Sequence, residues 1–89
     1  MAEIVVTSKD EETFEVTVRD ASTTTHTVKL AKDYYDKLTG GKVPAETLIE
    51  KSFEFLLARE SNTMILRRFD LPVIGDYFPE YERTIVKRL

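Results

Sequence analysis

The side chain best suited to acid–base or metal chemistry in this sequence is its single histidine, His26. A catalytic histidine needs a nucleophile to activate, and a metal-binding histidine needs further histidine, cysteine or clustered carboxylate ligands. His26 is flanked by Thr25 and Thr27, and no motif in the sequence supplies the missing groups. This setting favours a partly buried strand histidine over a catalytic or metal-ligating one.

The carboxylates are numerous, but their spacing is typical of solvated helix surfaces, as at Glu46, Glu50 and Glu54. The sequence contains no phosphate-binding loop of the usual type, because Gly40-Gly41-Lys42 lacks the other residues of the P-loop motif. Neither a nucleophile elbow nor a zinc-hydrolase motif is present. We therefore expect a protein that is not an enzyme and that uses no metal and no cofactor.

Binding residues are easier to nominate than catalytic ones. Arg67 and Arg68 form the densest basic spot, and Tyr77, Phe78 and Tyr81 cluster in a short, poorly periodic region. Full burial of aromatic side chains is hard in such a region, and an exposed aromatic cluster is typical of a partner surface. We predict that these five residues form a partner-binding site. The alternative interpretation is a solvated helix face for the arginines and core packing for the aromatics.

The bulk composition narrows the class of protein. A chain of 89 residues suits one domain, residues 1–89, and the absence of cysteine excludes disulfides and fits a reducing cytoplasm. No apolar run approaches the ~20 residues of a membrane span, and the start of the chain lacks the layout of a signal peptide. The net charge of −3 makes nucleic acid a less favoured partner. We expect a soluble cytoplasmic protein with no evident small-molecule ligand.

The first third of the chain alternates with period two, which predicts strands. Phe14, Val16 and Val18 share one side of residues 13–19, and residues 24–30 repeat the pattern with His26 and Val28 on one side. Residues 4–7 are predicted to add a third strand. The expected start is an antiparallel hairpin or a three-strand meander.

Helical patterns follow the strands. We predict a helix over residues 31–39 that ends at Gly40, and a longer, more buried one from Pro44 to Glu60 with apolar residues at i, i+3 and i+4. Shorter helices are predicted over residues 64–69, after an Asp70 cap with Pro72 near the helix start, and beyond residue 79. Strands first and helices after indicate an α+β fold, with three to five helices packed on one face of the sheet.

The order of elements over residues 25–60 carries a resemblance to a known family. THTVKL at residues 25–30 precedes a short helix and a glycine turn, and VPAETLIE at residues 43–50 opens a second helix. This order resembles the ribbon-helix-helix regulators and antitoxins of bacteria. The resemblance implies a dimer in which the strand pairs with its mate and Thr25, Thr27 and Lys29 read base edges of DNA. The pairing partner of this strand distinguishes the two interpretations.

A second resemblance lies in the C-terminal half. The segments EFLLARE at residues 54–60, ILRRFDL at residues 65–71 and YFPEYE at residues 77–82 are similar to a group of short uncharacterised prokaryotic proteins. This likeness implies that the C-terminal segment belongs to the domain, and it brings no function with it.

We therefore expect a non-enzymatic binding or regulatory module that acts through protein–protein contacts, self-association into a homodimer included. The sequence does not identify the protein partner. The alternative is a dimeric DNA-binding regulator of the ribbon-helix-helix type.

Overall fold

The alternating segments at the start of the chain form a sheet, as the sequence predicts. A computed structural model describes residues 2–89. The elements are β1 (Glu3–Ser8), β2 (Thr13–Arg19), β3 (Thr23–Lys29), α1 (Lys32–Thr39), α2 (Ala45–Leu57), a 3₁₀ turn (Asn62–Met64), β4 (Arg68–Asp70), α3 (Val73–Tyr77) and α4 (Tyr81–Arg88). The predicted α+β class is confirmed, with a three-strand meander and four α-helices packed against the sheet.

The meander gives the sheet one apolar and one polar face. β1 and β2 are antiparallel neighbours in an unbroken register from Glu3 opposite Arg19 to Ser8 opposite Phe14, and β3 pairs antiparallel with β2 along its whole length. Phe14 and the inward side chains of β2 and β3 are buried, whereas Thr25 and Lys29 on the other face are exposed. The period-two pattern thus separates core from solvent directly.

The helix predicted over residues 64–69 is wrong, because β4 occupies the end of this segment and runs parallel to β3. The Thr27 amide donates to the carbonyl of Arg67 across 2.7 Å, and the Leu71 amide donates to that of Lys29 across 2.8 Å. Phe69 is buried between exposed Arg68 and Asp70. An alternation of three residues is too short to distinguish from one helical turn in sequence.

α3 begins beside Pro72 as predicted, but the predicted cap at Asp70 is wrong. Asp70, which the sequence suggested as a helix cap, is the last residue of β4. Pro72 precedes α3 with helical backbone angles, and the helix begins at Val73. The preset φ of proline suits the start of a helix, so Pro72 rather than Asp70 marks this boundary.

α1 and α2 follow the prediction closely. α1 ends at Gly40, whose φ of 64° is left-handed and whose amide donates to the Asp36 carbonyl across 2.8 Å. α2 begins directly after Pro44 and buries six side chains. Phe53 and Phe55 of α2 are fully buried in one apolar cluster with the sheet and with Ile85 of α4. None of the helices within residues 2–89 has the length and hydropathy needed to cross a membrane.

Candidate functional site

An apolar cleft opens between α3 and the segment that leads into β4. Its floor consists of side chains that are almost fully buried, namely Leu56, Ile65, Phe69 and Ile74. Its rim includes Leu66, Val73, Tyr77 and Phe78. The cleft encloses about 30 Å³. Ligand pockets for small molecules usually measure about 300–1,000 Å³, so this cleft fits the tip of one side chain rather than a metabolite.

The rim is unusually apolar for a solvated surface. Tyr77 is 66% exposed and Leu66 is 46% exposed, although both side chains border the buried floor. Phe78 is half-buried and packs edge-on against Phe55, with ring centroids 5.9 Å apart. We name Leu66, Tyr77 and Phe78 the Tyr77 patch. Two residues before Leu66, Met64 adds a further apolar side chain that is 70% exposed.

His26 holds the segment that carries Leu66. Its ring is fully buried, and its Nδ1 lies 2.7 Å from the carbonyl oxygen of Leu66. Because a carbonyl can only accept, Nδ1–H is the donor, and Nε2 accepts from the Thr24 hydroxyl across 2.8 Å. Burial lowers the pKa of His26 below its ordinary value, which keeps this neutral arrangement. His26 therefore fixes the backbone that carries Leu66 of the Tyr77 patch.

Asn62 fixes the other end of the same segment. Its side-chain amide donates to Thr24 Oγ1 across 3.0 Å and to the Ser22 carbonyl across 2.8 Å. Asn62 is buried, so these bonds are shielded from water. The 3₁₀ turn is thereby attached to β3, and the backbone beneath Leu66 is held at two points.

The aromatic residues of the predicted partner site separate into two environments. Tyr77 and Phe78 border the cleft, but the prediction that Tyr81 contributes to an exposed surface is wrong. Tyr81 is fully buried, with its hydroxyl 2.6 Å from Ser52 Oγ and its ring 5.3 Å from that of Phe55. Tyr81 is the first buried residue of α4. Ser52 supplies the hydrogen-bond partner of its hydroxyl, which would otherwise have to bond water.

The two arginines are exposed but do not stand together. Arg67 directly follows Leu66 and lies beside the Tyr77 patch in the chain. Arg68 is the register partner of Thr27 and borders a depression with Lys29 on the outward face of the sheet. Because neighbouring side chains of a strand point to opposite faces, Arg68 is on the opposite side of the sheet from buried Phe69.

The residues of the DNA-binding alternative lie on this outward face. Thr25 and Lys29 are exposed and Thr27 is partly exposed. However, β3 is an inner strand, paired with β2 along its whole length and with β4 from Thr27 to Lys29. The strand pairs within its own chain, so the intermolecular ribbon that the resemblance implies is not the arrangement adopted.

Sequence reasoning missed Leu66 and Met64 because both fell in or near the wrongly predicted helix. The adjacent apolar pair Ile65-Leu66 does not show in sequence which side chain faces the core, and only the backbone conformation decides it. Ile65 has extended backbone angles, with φ −75° and ψ 137°. Adjacent side chains of an extended chain point in opposite directions. Once Ile65 is buried, Leu66 must face away from the core.

The chemistry available at the cleft is apolar contact. Glu60 is the carboxylate that borders it, and burial raises the pKa of Glu60 above its ordinary value. Within residues 2–89 no cluster of histidine, cysteine or acidic side chains is arranged to hold a metal, and no buried side-chain polar atom lacks a hydrogen-bond partner. Comparisons with protein-family models, with curated proteins and with solved structures found no match to this chain.

Proposed function

We propose that this protein is a soluble, cytoplasmic, non-enzymatic binding module whose partner is another protein, contacted at the Tyr77 patch. The observation that carries the proposal is the exposure of Tyr77 and Leu66 above a cleft whose floor is apolar and buried. Tyrosine is enriched among the residues that dominate binding energy at protein interfaces.

The energetics support a protein partner. Burial of one large apolar side chain from water is worth about 1.5–3 kcal/mol, so covering Tyr77 and Leu66 supplies a substantial driving force. The small cleft can receive one projecting apolar side chain from the partner, which adds shape specificity. Hot spots of this kind, a buried anchor beside rigid aromatic groups, are typical centres of protein interfaces.

The surroundings of the patch form a polar rim. Arg67 follows Leu66, and Asp76 precedes Tyr77, and both side chains are exposed. Glu60 adds a carboxylate at the edge of the cleft. Apolar centres ringed by charges of both signs are the usual anatomy of reversible interfaces. We expect the partner to present an apolar residue flanked by charged ones.

The proposal is tested by quantitative co-purification from cells that produce the protein. The double variant Leu66→Ser, Tyr77→Ser removes the exposed apolar groups and leaves the buried floor intact. Val86→Ser is the matched control, since Val86 is an apolar residue of α4 that is 50% exposed and lies outside the cleft. We expect the double variant to lose a specific partner at least tenfold and Val86→Ser to retain it.

Two results would contradict the proposal. One is a set of co-purified proteins that is the same for the double variant and for the wild type. The other is an equal loss in the Val86→Ser control. Circular dichroism and thermal unfolding of all three proteins establish that the fold is unchanged.

The dimeric DNA-binding regulator stays the alternative hypothesis. The internal pairing of β3 and the acidic net charge favour the protein-contact proposal over it. Amide shifts centred on Thr25, Thr27 and Lys29 on addition of duplex DNA at low salt, and lost at higher salt, would favour the alternative.

A further inference from the structure

We propose that two copies of this chain associate edge to edge through β1, with a two-fold axis at Val5 and normal to the sheet, to form one continuous eight-stranded sheet. This surface is separate from the Tyr77 patch, and the proposal does not depend on it.

The outer edge of β1 is open. β1 is the terminal strand of the sheet, with β2 as its one neighbour. In an antiparallel pair, alternate residues direct their N–H and C=O groups away from the partner strand. Among residues 2–89, no backbone hydrogen bond other than those with β2 engages residues 3–8. A row of backbone donors and acceptors therefore faces solvent along six residues.

The two edges of the sheet differ in how they are protected against pairing. β4, at the far edge, is three residues long and displays Arg68 and Asp70. β1 is six residues long, contains no proline, lysine or glycine, and pairs with β2 without a bulge. Its one charge, Glu3, lies 3.3 Å from Arg19 of β2. Short length, charge and bulges are the usual devices against edge pairing, so β4 is protected and β1 is not.

The side chains of β1 restrict the geometry of self-pairing. Ile4 and Val6 face the core side and are partly buried, whereas Val5 faces outward and is 38% exposed. An axis normal to the sheet and centred on a residue keeps like faces together, whereas a one-residue slip would set apolar side chains against polar ones. The two copies then carry their helices on the same side.

Among the registers that keep like faces together, the one centred on Val5 matches best. It sets Val5 opposite its own copy, Ile4 opposite Val6, and Glu3 opposite Thr7. A centre at Ile4 would oppose Glu3 to Val5, and a centre at Val6 would oppose Ile4 to Ser8. The Val5 centre therefore pairs apolar residues with apolar ones on both faces and opposes no like charges.

Ile4 and Val6 are partly exposed, so their burial in the dimer would add a hydrophobic contribution to the free energy of pairing. Both side chains pack against the core cluster from the edge, and α2 is the helix that packs on β1. A second β1 would cover their open sides while satisfying the free backbone groups. Interfaces below about 1,200 Å² in total are of the weak class, and a single strand pair belongs there. We therefore expect dimerisation that depends on concentration.

Sedimentation analysis of the full chain tests the dimer over about 5–500 µM, the range in which a weak association becomes visible. Val5→Lys sets two ammonium groups face to face on the axis and should leave a monomer throughout. Thr25→Lys is the matched control, because it adds the same charge to the same face two strands from the edge. We expect Thr25→Lys to dimerise as the wild type does.

Disulfide trapping tests the register independently of any effect of Val5→Lys on stability. The chain contains no cysteine, so single variants report one position each. Val5→Cys sets two thiols directly opposite, about 4.5–5.5 Å apart at Cα, within the range that a disulfide spans. Thr7→Cys separates its two copies by four residues, about 13 Å along the strands. Mild oxidation should trap Val5→Cys as a dimer and leave Thr7→Cys monomeric.

A wild type that is monomeric at every concentration overturns the proposal. So does a dimer that Val5→Lys leaves intact, or one that Tyr77→Ser abolishes. Equal trapping of Thr7→Cys and Val5→Cys overturns the register. Failure of the Tyr77 patch to bind a partner would leave these measurements unaffected, so the two proposals are tested separately.

Discussion

At the scale of single residues, the buried polar side chains stabilise the fold through hydrogen bonds within the interior. His26 bonds Thr24 and the backbone of Leu66, and Ser52 bonds Tyr81. Each of these groups sits in the interior with its partners in place. Their loss should therefore appear in the stability of the fold.

The pH dependence of stability should report His26. Burial lowers the pKa of His26 below its ordinary 6.5, so the unfolded chain binds a proton at pH values where the folded protein does not. The free energy of unfolding should therefore be highest above pH 6.5 and should fall as the pH drops below that value. Urea titrations of wild type and His26→Asn between about pH 5 and 7.5, above most carboxylate titration, isolate this contribution. A wild-type slope equal to that of the variant would contradict the assignment.

The bond between Ser52 and Tyr81 predicts an asymmetric pair of variants. Ser52→Ala leaves the buried Tyr81 hydroxyl without its partner, which costs about 1–3 kcal/mol. Tyr81→Phe removes that hydroxyl, and Ser52 keeps its 2.7 Å bond to the Leu48 carbonyl, so about 1 kcal/mol or less is expected. Chemical denaturation of both variants measures the difference. The opposite order would show that Tyr81 is not held as described.

At the scale of elements, the sequence predicted the type of an element where its pattern of apolar residues was long. Seven-residue alternation in β2 and the apolar stripe of α2 are long enough to fix the type of element. β4 was missed because its three residues acquire strand geometry from pairing with β3, a contact between distant parts of the chain. The sequence left Tyr81 between surface and core for the same reason, since its contacts, the bond to Ser52 among them, join it to another helix.

Alanine substitutions at two glycines test the backbone conformation at the end of α1 and inside α3. Gly40 ends α1 with a φ of 64°, so Gly40→Ala places a side chain in left-handed backbone and should cost about 1–2 kcal/mol. Gly75 lies inside α3, and an added Cβ there meets no atom within 4 Å. Gly75→Ala should therefore stabilise the protein by about 0.4–1 kcal/mol. Thermal unfolding compares the two, and equal shifts in Tm would contradict these backbone assignments.

At the scale of the whole molecule, the sheet separates two potential contact surfaces. The helical side carries the Tyr77 patch near α3, whereas the open edge of β1 lies across the sheet from β4. The sequence identified Tyr77 and Phe78 as candidates, but it could not join them to Leu66, since only the fold brings residues 66 and 77 to one cleft. The exposure of an edge strand likewise depends on strand order, which alternation alone does not determine.

The central claim is that the Tyr77 patch binds a protein, and site-specific photo-crosslinking tests it most directly. A photoreactive phenylalanine analogue replaces Tyr77 in one protein and Val86, on α4, in another, and both are irradiated inside the producing cells. We predict a discrete adduct from position 77 that disappears when Leu66→Ser is added, and no such adduct from position 86. Adducts that are the same from both positions, or that persist unchanged with Leu66→Ser, would contradict the claim.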